Sequence, residues 1–170
     1  MNIFMTSECP IQSAYDHCRV HRNKLITELS QILSVAHRIL DGDEYADANG
    51  FYKATHKNHP SCIFVRSCPE AYEWAYLHLM ALHQYYEEDR GKTHASKRLL
   101  DALAEVPHNI GNYSFSPVIA APETYKVYAR RTSVPLAYQA YLRDKFIEWT
   151  SRQKPVKLEW PFGKPEWMYE

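Results

Sequence analysis

No run of apolar residues in this chain approaches the ~20 that a helix needs to cross a bilayer, although hydrophobic residues make up 45% of it. A helix-spanning membrane protein is therefore not expected. The opening MNIFMTSECP has neither the cationic segment nor the apolar stretch of a secretory leader, so the expected compartment is the cytoplasm. The four cysteines, Cys9, Cys18, Cys62 and Cys68, contain no C-x-x-C pair and no zinc-finger spacing, and in a reducing compartment they read as free thiols. G-x-S-x-G, P-loop, G-x-G-x-x-G and H-E-x-x-H patterns are all missing, which argues against nucleotide hydrolysis and nicotinamide chemistry. Net charge is missing as well. Twenty basic residues balance twenty acidic ones, so any binding to nucleic acid must come from a local patch such as RGKTHASKR at 90–98.

What the chain has in quantity is aromatic side chains: thirteen tyrosines, six phenylalanines and four tryptophans. Tyrosine suits surfaces that are apolar on one side and wet on the other, and the plain expectation for most of these rings is core packing. At 170 residues the chain fits one domain large enough to bury a real core.

The periodicity is helical. A first helix starts after Pro10 and becomes regular from Lys24, with Leu25, Leu29, Ile32, Leu33, Ala36 and Leu40 at helical spacing until Asp41-Gly42. The segment DEYADANGFYKATHKNHP reads as a long loop ending at Pro60. Ser67, Pro69 and Glu70 mark the start of a second helix that is apolar on most sides, hence central, and that ends near Gly91. Thr93 caps a shorter helix that closes before Pro107; residues 107–133 read as an extended connection over the surface; and a last helix follows Ser133. The tail KPVKLEWPFGKPEWMYE holds too many prolines for a helix and too many aromatics for a disordered end. The expectation is an all-α fold: a single helical domain over 1–170, with long irregular loops and an aromatic tail, 150–170, docked on the body.

Three groups of residues could carry chemistry. On the first long helix His21, Lys24, Glu28 and Gln31 fall within a stripe of about 80° beside the apolar face, a position that suits a carboxylate acting as general acid or base. The same spacing also describes a solvated face with an ordinary Lys24–Glu28 pair. His56, Lys57, Asn58 and His59 crowd the end of the irregular loop before Pro60, where donors could hold a phosphate or a base edge. A metal held by His17, His21, His56 and His59 is an alternative that the spacing does not favour, so no metal and no cofactor is expected. Arg90, Lys92, His94 and Lys97 surround a helix start, a plausible phosphate site, or they merely complement the preceding helix end at Gly91.

The opening Met1-Asn2-Ile3-Phe4, CRVHRNKLITELSQIL at 18–33, YKATHKNHP at 52–60, YEWAYLHLMALHQYYEEDRGKTH at 72–94 and APETYKV at 121–127 resemble a family of small phage-encoded proteins. That family is similar in turn to the pyrimidine-dimer DNA glycosylases of the phage endonuclease V type. His21 and Glu28 reproduce the interval between a histidine and the catalytic glutamate, the R-G step is matched by Arg90-Gly91, and the aromatic tail by Trp160 to Tyr169. The resemblance implies an all-helical DNA repair enzyme of the phage-infected host cell, a glycosylase with lyase activity. Its N-terminal amine would attack C1′ of the damaged nucleotide while Glu28 assists. It departs at Asn2, whose bulk discourages removal of Met1, so Met1 itself would supply the amine. His21, Lys24 and Gln31 would then line the site, and the loop at 56–59 and the turn at 90–97 would hold DNA. A base-modifying enzyme, or a DNA-binding or host-interaction protein without activity, fits the same scaffold.

Overall fold

The computed structural model describes residues 1–169, and among them are eight α-helices and no strand. Helices α1 (Pro10–Asp16), α2 (Arg19–Leu40), α3 (Asp43–Ala48), α4 (Pro60–Val65) and α5 (Pro69–Arg90) are followed by a 3₁₀ turn at Ala95–Leu99, then α6 (Leu100–Leu103), α7 (Glu123–Arg131) and α8 (Val134–Thr150). A second 3₁₀ turn, Glu166–Met168, ends the described chain. No helix among these residues is long and apolar enough to cross a membrane.

The centre is an antiparallel pair. α2 and α5 lie against each other with Arg19 at the start of α2 gripping Asp89 at the end of α5 (2.6 and 2.8 Å), while His37 near the end of α2 meets the Tyr72 hydroxyl near the start of α5 (2.9 Å). Between these ends Leu25, Ile26, Leu29, Ile32, Leu33 and Ala36 of α2 are buried together with Ala71, Ala75, Leu79 and Leu82 of α5. Each fully buried leucine or isoleucine contributes roughly 1.5–3 kcal/mol by removal from water. Gly91 stops α5 in the left-handed region at φ 62°, where a side chain would be strained.

Three helices arise where the sequence suggests loop. α4 begins at Pro60 and α7 directly after Pro122. In both places proline starts a helix instead of breaking one, since the first helical turn needs no N–H donors there. The segment DEYADANGFYKATHKNHP also contains the short α3, tied down by Arg38, whose buried guanidinium bonds Asp43 (2.8 Å), Asp47 (2.6 Å) and the Phe51 carbonyl (2.9 Å).

The tail lies on α1. Trp160 Nε1 donates to the Asp16 carbonyl and Trp167 Nε1 to the Asp16 carboxylate, both at 3.0 Å, while Gln12 donates to the other carboxylate oxygen at 2.8 Å. Arg19 adds a salt bridge to Glu159. Asp16→Ala is expected to cost about 1.5–3 kcal/mol, because it strips a charge-assisted acceptor from a buried indole; urea unfolding followed by tryptophan fluorescence would measure it. Unchanged stability would show that the tail is held by other means.

Candidate active site

Asn2 to Thr6 are buried, and Asn2 explains how. Its Oδ1 accepts from the N–H groups of Ile3 (2.8 Å) and Phe4 (3.2 Å) and from the Tyr138 hydroxyl (2.8 Å), and its Nδ2 donates to the Ala120 carbonyl (2.8 Å). The Tyr138 hydroxyl in turn accepts from the Ala120 N–H at 2.9 Å. This knot holds Phe4 at φ 40°, a left-handed conformation that costs a non-glycine residue about 1–2 kcal/mol. The Phe4 ring then packs against His21 (5.0 Å between centroids), Tyr138 (5.8 Å) and Tyr141 (6.3 Å).

Pinned in this way, the N-terminus meets the middle of α2. The α-amine of Met1 lies 3.5 Å from Glu28 Oε1, and the Asn2 N–H donates to Glu28 Oε2 at 3.0 Å. Lys24, one turn earlier, places Nζ 3.6 Å from the same Oε1. The Met1 side chain is 4% exposed and that of Glu28 13%, whereas Lys24 is 69% exposed, so an open cation borders a sheltered amine–carboxylate pair. Met1 Sδ touches Cys62 Sγ of α4 at 3.8 Å. His59, the N-cap of α4, has its pKa lowered first by burial, then by the N-terminal amine and His56, with Glu28 opposing.

Chemically this corner holds a primary amine able to act as a nucleophile and a carboxylate able to take or give a proton, within one contact of each other. No family model matches the chain, and neither does any curated protein or solved structure. The corner must therefore be read from its own geometry.

The other candidate residues are dispersed. His21 shares the stripe of Glu28 but is 2% exposed beneath Phe4, Phe146 and Trp149, and burial, reinforced by Lys145 and Lys24, pushes its pKa down to about 3. It packs under Phe4 as a neutral ring and offers no surface to DNA. Gln31 is half-buried farther along α2, while His56, Lys57 and Asn58 are exposed just before His59. The turn after α5 spends much of its charge internally: Lys97 on Glu87 (2.7 Å), Arg90 beside Asp89 (3.5 Å), with His94 capping the N–H of Ser96 (3.2 Å). Lys92 is exposed. None of the bonds of this turn reaches the Met1–Glu28 corner.

No three His, Cys, Asp or Glu side chains among the described residues are grouped as metal ligands. His17 lies inside, its ring stacked on His78 at 5.4 Å, whereas His56 is exposed and His59 half-buried beside α4. A cleft of about 860 Å³ opens elsewhere, bordered by Thr6, Gln12, Asp16, Gln139 and Trp167. Its most buried acid, Asp16, is committed to Gln12 and Trp167. Tyr138 and Cys62 hold the corner although the sequence does not mark them as site residues, and Asn2, marked only for its bulk beside Met1, proves to be the knot. A polar side chain leading the apolar run Ile3-Phe4-Met5 was the available signal for Asn2.

Proposed function

We propose that the chain is a DNA glycosylase with associated lyase activity, acting on a damaged or modified pyrimidine extruded from the duplex. One observation carries this reading: the sheltered contact of the N-terminal amine with Glu28. The amine nitrogen attacks C1′ of the nucleotide, the C1′–N1 bond breaks, and its electron pair leaves with the base. Loss of the nitrogen's proton and opening of the sugar ring give a Schiff base. Glu28 then takes a proton from C2′, and the 3′ phosphate departs with the electrons of the C–O bond, cutting the strand.

The contact also tolerates either form of the N-terminus. Glu28 faces the Met1 nitrogen with one oxygen and the Asn2 nitrogen with the other, so removal of Met1 would leave the new amine on the same carboxylate. Selective reductive methylation of the α-amine to the tertiary form tests the reading. The blocked protein is expected to fold and bind DNA yet form no Schiff base and cut no strand; undiminished cleavage would refute the nucleophile.

One observation favours a second reading, a DNA-binding or base-modifying protein in which the same contact merely clamps the N-terminus. The chain has no net charge, and in the basic turn at 90–97 Lys97 is paired with Glu87, which weakens long-range attraction for DNA. Under that reading the methylated protein loses stability and no catalysis.

A further inference from the structure

His59 ends the irregular run before α4 and caps that helix with its ring. Serine and asparagine do this with an oxygen; here the imidazole Nδ1 accepts the Ser61 N–H at 3.2 Å, with Pro60 as the first helical residue. A ring nitrogen that accepts a hydrogen bond carries no proton, so the neutral ring must carry its proton on Nε2. Protonating Nδ1 would set N–H against N–H and break the cap. The first turn of α4 is also the one that touches the N-terminus, through Cys62 and Met1. Burial and the neighbouring amine favour the uncharged ring. His59 therefore stands beside the corner as a neutral donor with no free lone pair, which leaves Glu28 to move protons.

We propose that His59 donates its Nε2–H to the O2 oxygen of the departing pyrimidine, stabilising the negative charge that collects there as the C1′–N1 bond breaks. This assignment rests on the amine-nucleophile reading above. A neutral donor suits the place, because Nδ1 is already committed to the Ser61 N–H and the ring has only its Nε2–H left to offer. The geometry thus divides the labour: amine for attack, Glu28 for proton transfer, His59 for the leaving group.

The test compares two DNAs of identical sequence, one carrying a pyrimidine dimer and one an abasic site, which has no base left to expel. His59→Ser keeps a good cap but has neither the reach nor the ring, and circular dichroism would show whether its fold is intact. Borohydride-trapped adduct is followed in single turnover. On dimer DNA the variant is expected to be slower by about 10²-fold, the usual effect of deleting one such donor. On abasic DNA it should match the parent within about twofold, because the amine condenses there without base departure. Equal slowing on both substrates, as a phosphate contact or a folding defect would give, overturns the proposal, and so does no slowing on either. A parent chain that traps only abasic DNA also overturns it, since no base then leaves. A parent that traps neither refutes the nucleophile reading and this assignment together. Nitrogen-15 spectra of the imidazole give an answer independent of substrate: the proton is expected on Nε2, and a proton on Nδ1 would contradict the proposal.

Discussion

Glu28→Gln is expected to lower base release and strand cleavage by 10²- to 10⁴-fold, the range over which positioned acid–base groups contribute, while leaving the fold in place. The amide keeps the volume of the carboxylate, and its carbonyl can still accept the Asn2 N–H now bound at 3.0 Å. What disappears is the proton acceptor and the charge facing the amine at 3.5 Å. Measured side by side, DNA affinity should change little and single-turnover chemistry should collapse. A variant as active as its parent would reduce Glu28 to a clamp on the N-terminus.

A second large effect is acid lability. His17, His21, His78 and His83 are all buried, and burial is the leading cause that lowers each pKa: His17 well below its ordinary value, His21 and His78 to about 3, His83 to about 4. His17 and His78 stack with their planes 8° apart, and none of their ring nitrogens has a hydrogen-bond partner, so a proton gained there would find nothing to stabilise it. In the unfolded chain these rings titrate near 6.5. Between 6.5 and about 4 the unfolded state therefore binds more protons than the folded one, and stability must fall as pH falls. It is fully present above 6.5. At pH 5 His21 and His78 cost about 2 kcal/mol each, a large fraction of the stability of a small domain, and His17 and His83 act in the same direction. Asp16 works in the opposite direction, since burial raises its carboxyl, but it stands alone against the histidines. Urea midpoints should thus be nearly flat from pH 8 to 7 and drop steeply between 6.5 and 5. A midpoint unchanged at pH 5 would mean that these histidines accept protons within the fold.

The long helices could be read from the sequence because their determinants are local. Leu25, Leu29, Ile32 and Leu33 at helical spacing mark α2, Gly91 marks the end of α5, and Ser133 caps α8 by accepting the Leu136 N–H at 3.3 Å. Proline is ambiguous in the same alphabet. Pro60 and Pro122 read as breakers, yet each opens a helix, and whether a proline ends or starts one depends on whether the following residues find something to pack on. The candidate site shows the limit more sharply. Spacing alone puts His21 and Glu28 on one stripe, but the stripe runs along the edge of the core, and Phe4, Phe146 and Trp149 close over His21 while Glu28 meets the N-terminal amine. Lys97 and Glu87 meet only because the chain reverses at Gly91, so their mutual neutralisation could not be seen in a list of basic residues. The contact of Met1 with Glu28 spans 27 positions and depends on Asn2 being knotted to Ala120 and Tyr138; no periodicity encodes it, and only the resemblance to N-terminal-amine glycosylases suggested looking there.

The most direct test of the account is to add borohydride during turnover on dimer-containing, abasic and modified-pyrimidine DNA and to locate the trapped cross-link by peptide mass spectrometry. The account predicts a covalent adduct on at least one of these substrates, carried by the α-amine of Met1, or of Asn2 where Met1 has been removed, and absent once that amine is blocked. No adduct on any substrate, or an adduct on a lysine such as Lys24 with the α-amine untouched, would contradict it.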